Sequence, residues 1–175
     1  MEYDNVIVID NFLSDVDTIR KEALSLNYTK SEVDTKGWKG YRCLYETNIA
    51  NQISNLVKKE LVNRNELFTD FDIKSYFHYT TNETDITNKI HKDFQSDYAG
   101  VLYLTPNPPI NSGTAIYNDM GIEVSNIENI YNRLTIYPSN LWHSLKNTFG
   151  NDIDTGRLTF TIFISLKRKK EKSLL

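Results

Sequence analysis

His91 and Asp93 stand two residues apart in the stretch Ile90-His91-Lys92-Asp93, and the chain has only three histidines. On extended backbone, positions i and i+2 project to one side, so this imidazole and this carboxylate would converge on one point. A second imidazole, His143, follows the turn residues Pro138-Ser139-Asn140. Two histidines and one carboxylate can fill one triangular face of an octahedron and leave three positions open. That donor set suits non-haem Fe(II) that activates oxygen. Fe(II) held by two neutral imidazoles and one carboxylate keeps a positive charge, which favours an anionic, bidentate cosubstrate. Arg157 follows a glycine at the start of a long strand-like run. Its guanidinium can grip a carboxylate through two parallel bonds, with a charge that does not titrate away. His-x-Asp alone is a weak pattern. Taken singly, each histidine also has an ordinary reading, as a surface loop residue or the cap of a strand. The specificity comes from finding His91, Asp93, His143 and Arg157 in one chain.

These residues need a scaffold that brings distant segments together. From residue 68 onward the sequence reads as strands: Phe71 to Thr81, a short piece at His91 to Phe94, Tyr98 to Thr105, Gly113 to Tyr117, Arg133 to Tyr137 and Arg157 to Leu166. Pro106, Pro108 and Pro109 end the third of these, because proline cannot join a central ladder. Ile122 to Ile130 reads as an irregular or helical insertion. Short strands with turn signals, not alternating with helices, argue a sandwich or barrel. In the last strand Leu158, Phe160, Ile162, Ile164 and Leu166 share one face, and Arg157, Thr159, Thr161, Phe163 and Ser165 share the other. The apolar face requires a cover. The polar face, with its positive charge, suggests a cavity that binds something.

The N-terminal third can supply that cover. Val6 to Ile9 reads as a short strand, and a helix is expected from Ser14, with Val16, Ile19, Ala23, Leu24 and Leu26 at helical spacing. A second helix, capped by Thr47 and running to about Val62, would place Ile49, Ile53, Leu56, Val57 and Leu61 on one side. Residues 28–46 show no clean period. Trp38, between Gly37 and Gly40, is expected to plug a core or rim. We expect one domain over 1–175: strand and helical support over 1–65, the β core over 66–167 and a basic tail over 168–175.

Composition narrows the function classes. The net charge is −3, and the basic run Lys167-Arg168-Lys169-Lys170 sits at the C-terminal end beside Glu171, so nothing points to nucleic acid. Cys43 is the lone cysteine, which excludes an internal disulfide framework and a zinc site of several thiolates. It is expected to be buried and apolar. No stretch has the length of a bilayer span, and Met1-Glu2-Tyr3-Asp4 does not resemble a signal peptide. A cytoplasmic protein is the default expectation.

The motifs quoted above also carry a resemblance. His91-Lys92-Asp93, Val101-Leu102-Tyr103-Leu104-Thr105, Ser112-Gly113-Thr114, Asn132-Arg133-Leu134 through Pro138 to His143, and Gly156-Arg157-Leu158-Thr159 resemble successive motifs of Fe(II)/2-oxoglutarate-dependent oxygenases. The prolyl-hydroxylase-like branch is the most similar. Two departures stand out: Thr105 replaces an asparagine, and one glycine is missing before Thr114. The resemblance covers about residues 68–166 and implies a mainly β, double-stranded β-helix (a jelly roll, cupin-like) with the N-terminal helices on the outer face of one sheet. It implies that His91, Asp93 and His143 bind iron and carry catalysis, and that Arg157 binds the distal carboxylate of 2-oxoglutarate with help from Tyr103 and Thr159. The cofactors implied are Fe(II), 2-oxoglutarate and O2, with ascorbate as a candidate reductant. The reaction implied is hydroxylation of a small-molecule or peptide substrate with release of succinate and CO2. Substrate contacts are expected from the loops 80–89, 107–111 and 120–129. His78 is expected to be structural, Arg133 to sit in an ion pair and Trp142 to pack away from the ligands. Two alternatives compete: a jelly-roll binding or structural protein without turnover, and a cupin using another metal.

Overall fold

A computed structural model describes residues 6–31, 38–64, 69–87 and 89–167. The basic tail 168–175 lies outside the described residues. In chain order the elements are β1 (Ile7–Ile9), α1 (Val16–Leu24), β2 (Thr29–Lys30), β3 (Tyr41–Arg42), α2 (Asn48–Arg64), β4 (Phe71–Thr80), β5 (Tyr98–Tyr103), β6 (Thr114–Tyr117), β7 (Glu123–Ile127), β8 (Leu134–Pro138), β9 (Trp142–Leu145) and β10 (Arg157–Leu166). They form a seven-stranded sheet in the order β1-β8-β5-β10-β4-β3-β2 and a three-stranded sheet in the order β7-β6-β9. The pairings are antiparallel throughout, and the two sheets face each other as a jelly roll.

Alternation along β10 decides which side is core. Leu158, Phe160, Ile162 and Ile164 are fully buried and belong to one cluster with Ile19 and Ala23 of α1 and Ile53, Val57 and Leu61 of α2. Phe71 and Phe77 of β4 and Leu102 of β5 join from the neighbouring strands. The helices therefore cover the outer face of the large sheet. Burying a side chain of this size stabilises by roughly 1.5–3 kcal/mol, so this cluster dominates the fold's stability. The N-terminal lead is tied down by Asn132, whose amide mimics a strand partner. Its Oδ1 accepts from Leu13 N at 2.8 Å and its Nδ2 donates to Leu13 O at 2.8 Å.

Several expectations need correction. Asp15, not Ser14, caps α1, its carboxylate accepting from Thr18 N at 3.2 Å. Thr47 does cap α2, with its hydroxyl accepting from Ala50 N. Leu56 is exposed, because it lies to one side of the stripe through Ile53, Val57 and Leu61. Residues 28–46 hold two short strands too brief to show a period. The stretch 122–130 contains β7, an edge strand of exposed side chains that follows a turn with Gly121 at φ 74°. An edge strand with both faces wet lacks alternation, so nothing in Glu123-Val124-Ser125-Asn126 announces it.

Phe160→Ala should cost about 3–5 kcal/mol in urea unfolding followed by circular dichroism. It removes a fully buried ring from the seam between helices and sheet. A loss under about 1 kcal/mol would mean the helices are not held by this face.

Candidate metal and anion site

The inner faces of the two sheets enclose a cavity of about 400 Å³. Its wall takes Arg42 from β3, His78 from β4, Val101 from β5, Tyr137 from β8, His143 from β9, and Arg157, Thr161 and Phe163 from β10. These residues sit opposite in phase to the core-facing ones on the same strands.

His91 and His143 meet across a single antiparallel bridge between the segment before β5 and β9. His91 N donates to His143 O at 3.0 Å and His143 N donates to His91 O at 2.9 Å. The rings lie 4.4 Å apart between centroids. Asp93 is not on a strand, contrary to the expected extended His91 to Phe94. Its backbone N donates to Ser139 O at 2.9 Å, and this holds the carboxylate under both rings. Asp93 Oδ2 is 3.2 Å from His143 Nε2, and Asp93 Oδ1 is 3.7 Å from His91 Nε2. Among the described residues, these three form the one histidine, cysteine and carboxylate cluster with metal-ligand spacing.

The tautomers follow from the hydrogen bonds. His91 Nδ1 lies 2.7 Å from Lys89 O and His143 Nδ1 lies 2.9 Å from Leu141 O. A carbonyl only accepts, so both Nδ1 atoms carry a proton, and in its neutral form each ring turns an Nε2 lone pair toward the Asp93 carboxylate. Two such lone pairs and a carboxylate converging on one point form a donor set for a cation. The separations of 3.2 and 3.7 Å fit within the roughly 4.2 Å that two donors can span about one ion. Nδ1 bonded to a backbone carbonyl is also the usual outer support of a metal-bound histidine. The donor set therefore fits a divalent metal. Burial, followed by the neighbouring His143, pushes His91 below its ordinary pKa. Burial alone would raise Asp93, but the facing His143, His91 and Arg42 hold it below the usual carboxylate value.

Arg157 is 4% exposed, and its Nε donates to Ser112 O at 3.0 Å. Its guanidinium carbon lies 5.4 Å from the Tyr103 ring centroid. Among the described residues it has no carboxylate partner. Burial lowers its pKa. Tyr103 is buried behind it, with its hydroxyl 2.8 Å from Thr114 Oγ1, and burial raises that phenol. Thr159 is inward-facing but does not line the cavity, and its hydroxyl donates to His78 O at 3.1 Å. Thr161, on the same face, lines the wall, and its hydroxyl donates to Tyr76 O at 3.1 Å.

Other residues fall in three groups. Arg133 pairs with Asp10 at 2.6 Å, and Trp142 stands outside the cavity with its Nε1 donating to Asp119 Oδ1 at 3.0 Å. Of the expected substrate loops, 80–89 contributes Ile86, Thr87 and Lys89, whereas 107–111 and 120–129 contribute nothing to the wall. Arg42, Tyr137 and Lys39 line the cavity without having been anticipated. Tyr137 and Thr161 could have been found by continuing the alternation of β8 and β10. Arg42 sits on a two-residue strand and had no such signal.

Residues 76–164 match a family model, DUF6445. The chain belongs to this family of unknown function. No curated protein sequence matches it. Similar solved structures include a Pseudomonas putida prolyl-4-hydroxylase at 15% identity and TM-score 0.66, covering 93% of each chain. A Trichoplax adhaerens prolyl hydroxylase in complex with a hypoxia inducible factor peptide fragment is 15% identical at TM-score 0.68, over 91% of this chain and 83% of that one. HygX from Streptomyces hygroscopicus, with nickel and 2-oxoglutarate bound, is 10% identical at TM-score 0.64, over 93% and 83%. This DUF6445 member thus has the double-stranded β-helix fold seen in 2-oxoglutarate oxygenases. Among the described residues no helix is long and apolar enough to cross a membrane.

His78 is buried, its Nε2 bonded to Lys39 O, and burial, then the Arg42 charge, push its pKa down to about 3. Folded protein keeps His78 neutral where the unfolded chain binds a proton. Its contribution is therefore complete above the ordinary value of 6.5 and lost as pH falls toward about 3. Urea unfolding of wild type should weaken more steeply through that window than that of His78→Gln, which keeps a donor for Lys39 O. Parallel pH profiles would show that His78 is protonated in the folded state.

Proposed function

We propose that this protein is a non-haem Fe(II)- and 2-oxoglutarate-dependent oxygenase that hydroxylates its substrate and releases succinate and CO2. The observation that supports this best is the pairing of two features in one cavity. One is the convergence of two Nε2 lone pairs and a carboxylate. The other is the buried Arg157, without a carboxylate partner among the described residues. A buried charge is costly unless something pairs with it, so Arg157 calls for an anion in the cavity. The fold neighbours add support, because HygX carries nickel and 2-oxoglutarate and two others are prolyl hydroxylases.

In this proposal His91, Asp93 and His143 hold the iron, which when bound supplies the oxidising chemistry with O2 and 2-oxoglutarate. The chain's own residues do the rest. Lys89 O and Leu141 O keep the imidazoles turned with Nε2 inward. Arg157 receives the distal carboxylate of 2-oxoglutarate through the N–H groups not bonded to Ser112 O and Tyr103. Tyr103 stands behind that guanidinium and, through Thr114, fixes its floor. Thr159 and Thr161 brace the wall, their hydroxyls donating to His78 O and Tyr76 O. Phe163, Val101 and Tyr137 line the cavity between these polar groups and exclude water from the reacting C–H.

Purified protein given Fe(II), 2-oxoglutarate and air, with ascorbate as reductant, should release succinate. Arg157→Gln should raise the 2-oxoglutarate concentration needed by about tenfold to a hundredfold, as loss of a charged hydrogen-bonded pair does. Arg157→Lys should fall between, since it keeps the charge but not the fork. Absence of succinate in wild type, across substrates and without them, would defeat the proposal.

A further inference from the structure

The cavity holds more positive charge than a metal and 2-oxoglutarate account for. Its charged lining comprises Lys39, Arg42, Lys89, Lys92 and Arg157 against the single carboxylate of Asp93, in a chain whose net charge is −3. Two of these cations are already engaged. Lys89 Nζ donates to Lys146 O, and Lys92 lies 3.6 Å from Asp119 and over the Trp142 ring. Arg157 is assigned to the cosubstrate above. Arg42 is left over.

Arg42 is held as a binding group would be held. Its guanidinium carbon lies 4.9 Å from the Trp38 ring centroid and 4.6 Å from that of Tyr76. Two aromatic rings fix the plane of the guanidinium and leave its N–H edge for a ligand. Among the described residues it has no carboxylate partner, and its Nε is buried without a hydrogen-bond acceptor. A surface arginine would satisfy these donors with water. One on a cavity wall, with a buried orphan donor, is poised for an oxyanion.

Its place in the sheet separates it from the cosubstrate anchor. Arg42 pairs with His78, and His78 pairs with Thr159, so β4 stands between the strands of Arg42 and Arg157. Two strand spacings put their backbones roughly 10 Å apart. One 2-oxoglutarate, with one end at the metal and the other at Arg157, leaves Arg42 to a second molecule. Arg42 also lies on the metal side of the cavity, where its charge and that of Asp93 act on each other.

We propose that the substrate is a small acid whose carboxylate or phosphate group is bound by Arg42 between Trp38 and Tyr76. The term substrate rests on the oxygenase reading, but the anion site can be measured without turnover. Calorimetric titrations use protein loaded with Ni(II) and 2-oxoglutarate, and in parallel protein without either. The probes are N-acetyl-L-amino acids, their neutral amides, and phenyl phosphate. At least one acid should bind about tenfold or more tightly than its amide. Arg42→Gln should reduce that preference to under about twofold, and Arg42→Lys should retain part of it. If phenyl phosphate alone shows the Arg42-dependent preference, the acid is a phosphate ester; if the N-acetyl acids show it, a carboxylate. Equal binding of acids, amides and phosphate, or a preference that survives Arg42→Gln, would overturn the proposal. So would a loss of 2-oxoglutarate affinity in Arg42→Gln, which would make Arg42 the cosubstrate anchor. Arg42-dependent acid binding in protein that takes up neither Ni(II) nor 2-oxoglutarate would instead defeat the oxygenase reading and leave this one standing.

Discussion

One antiparallel backbone bridge, His91 to His143, is the constraint on which the cavity's chemistry depends. Two hydrogen bonds of 3.0 and 2.9 Å place residues from opposite sides of β5 and β8 face to face. Opposed residues in a narrow antiparallel pair bring their side chains within a few ångströms of each other. The two imidazoles are therefore adjacent because their backbones are, before any metal is considered. Asp93 joins them through its own backbone bond to Ser139 O, next to the turn that begins β9. Everything else in the fold serves to hold that bridge at the end of a cavity: the large sheet supplies Arg157 and Arg42 from its inner face, and the helices lock its outer face.

This arrangement has an electrostatic cost that explains the shape of the site. Two inward lone pairs and a carboxylate repel unless a cation joins them, and the two carbonyls that fix the Nδ1 protons prevent the rings from turning away. Arg157 and Arg42 pose the opposite problem, buried or half-buried and unpaired with a carboxylate among the described residues. A cation at the imidazoles and oxyanions at the guanidiniums would resolve both. The empty-handed donors and acceptors are thus complementary to a metal and acids, not to each other.

Much of this was legible in the sequence, for particular reasons. The strict alternation of β10 assigned its apolar face to the helices and its polar face to a cavity, and the large sheet obeys that division. His91, Asp93, His143 and Arg157 were recognisable because their chemical types are rare in combination. What escaped lies where local pattern carries no information. β7 is an exposed edge, β3 is two residues long, and the bend that carries Asp93 under the rings is set by tertiary hydrogen bonds. Arg42 was hidden for the same reason, since only its pairing with His78 reveals which way it faces. Thr159 was expected beside the anchor because it shares a face with Arg157, but shared face does not mean shared cavity, and its hydroxyl is taken by His78 O.

The central claim is that His91, Asp93 and His143 hold one metal ion with positions open for a chelating cosubstrate. Its most direct test is an anaerobic titration of the protein with Fe(II) and then 2-oxoglutarate, followed by visible absorption. The account predicts a weak charge-transfer band that saturates at one iron per chain and is absent in a folded His143→Ala variant. No band in wild type, or the same band in His143→Ala, would contradict it.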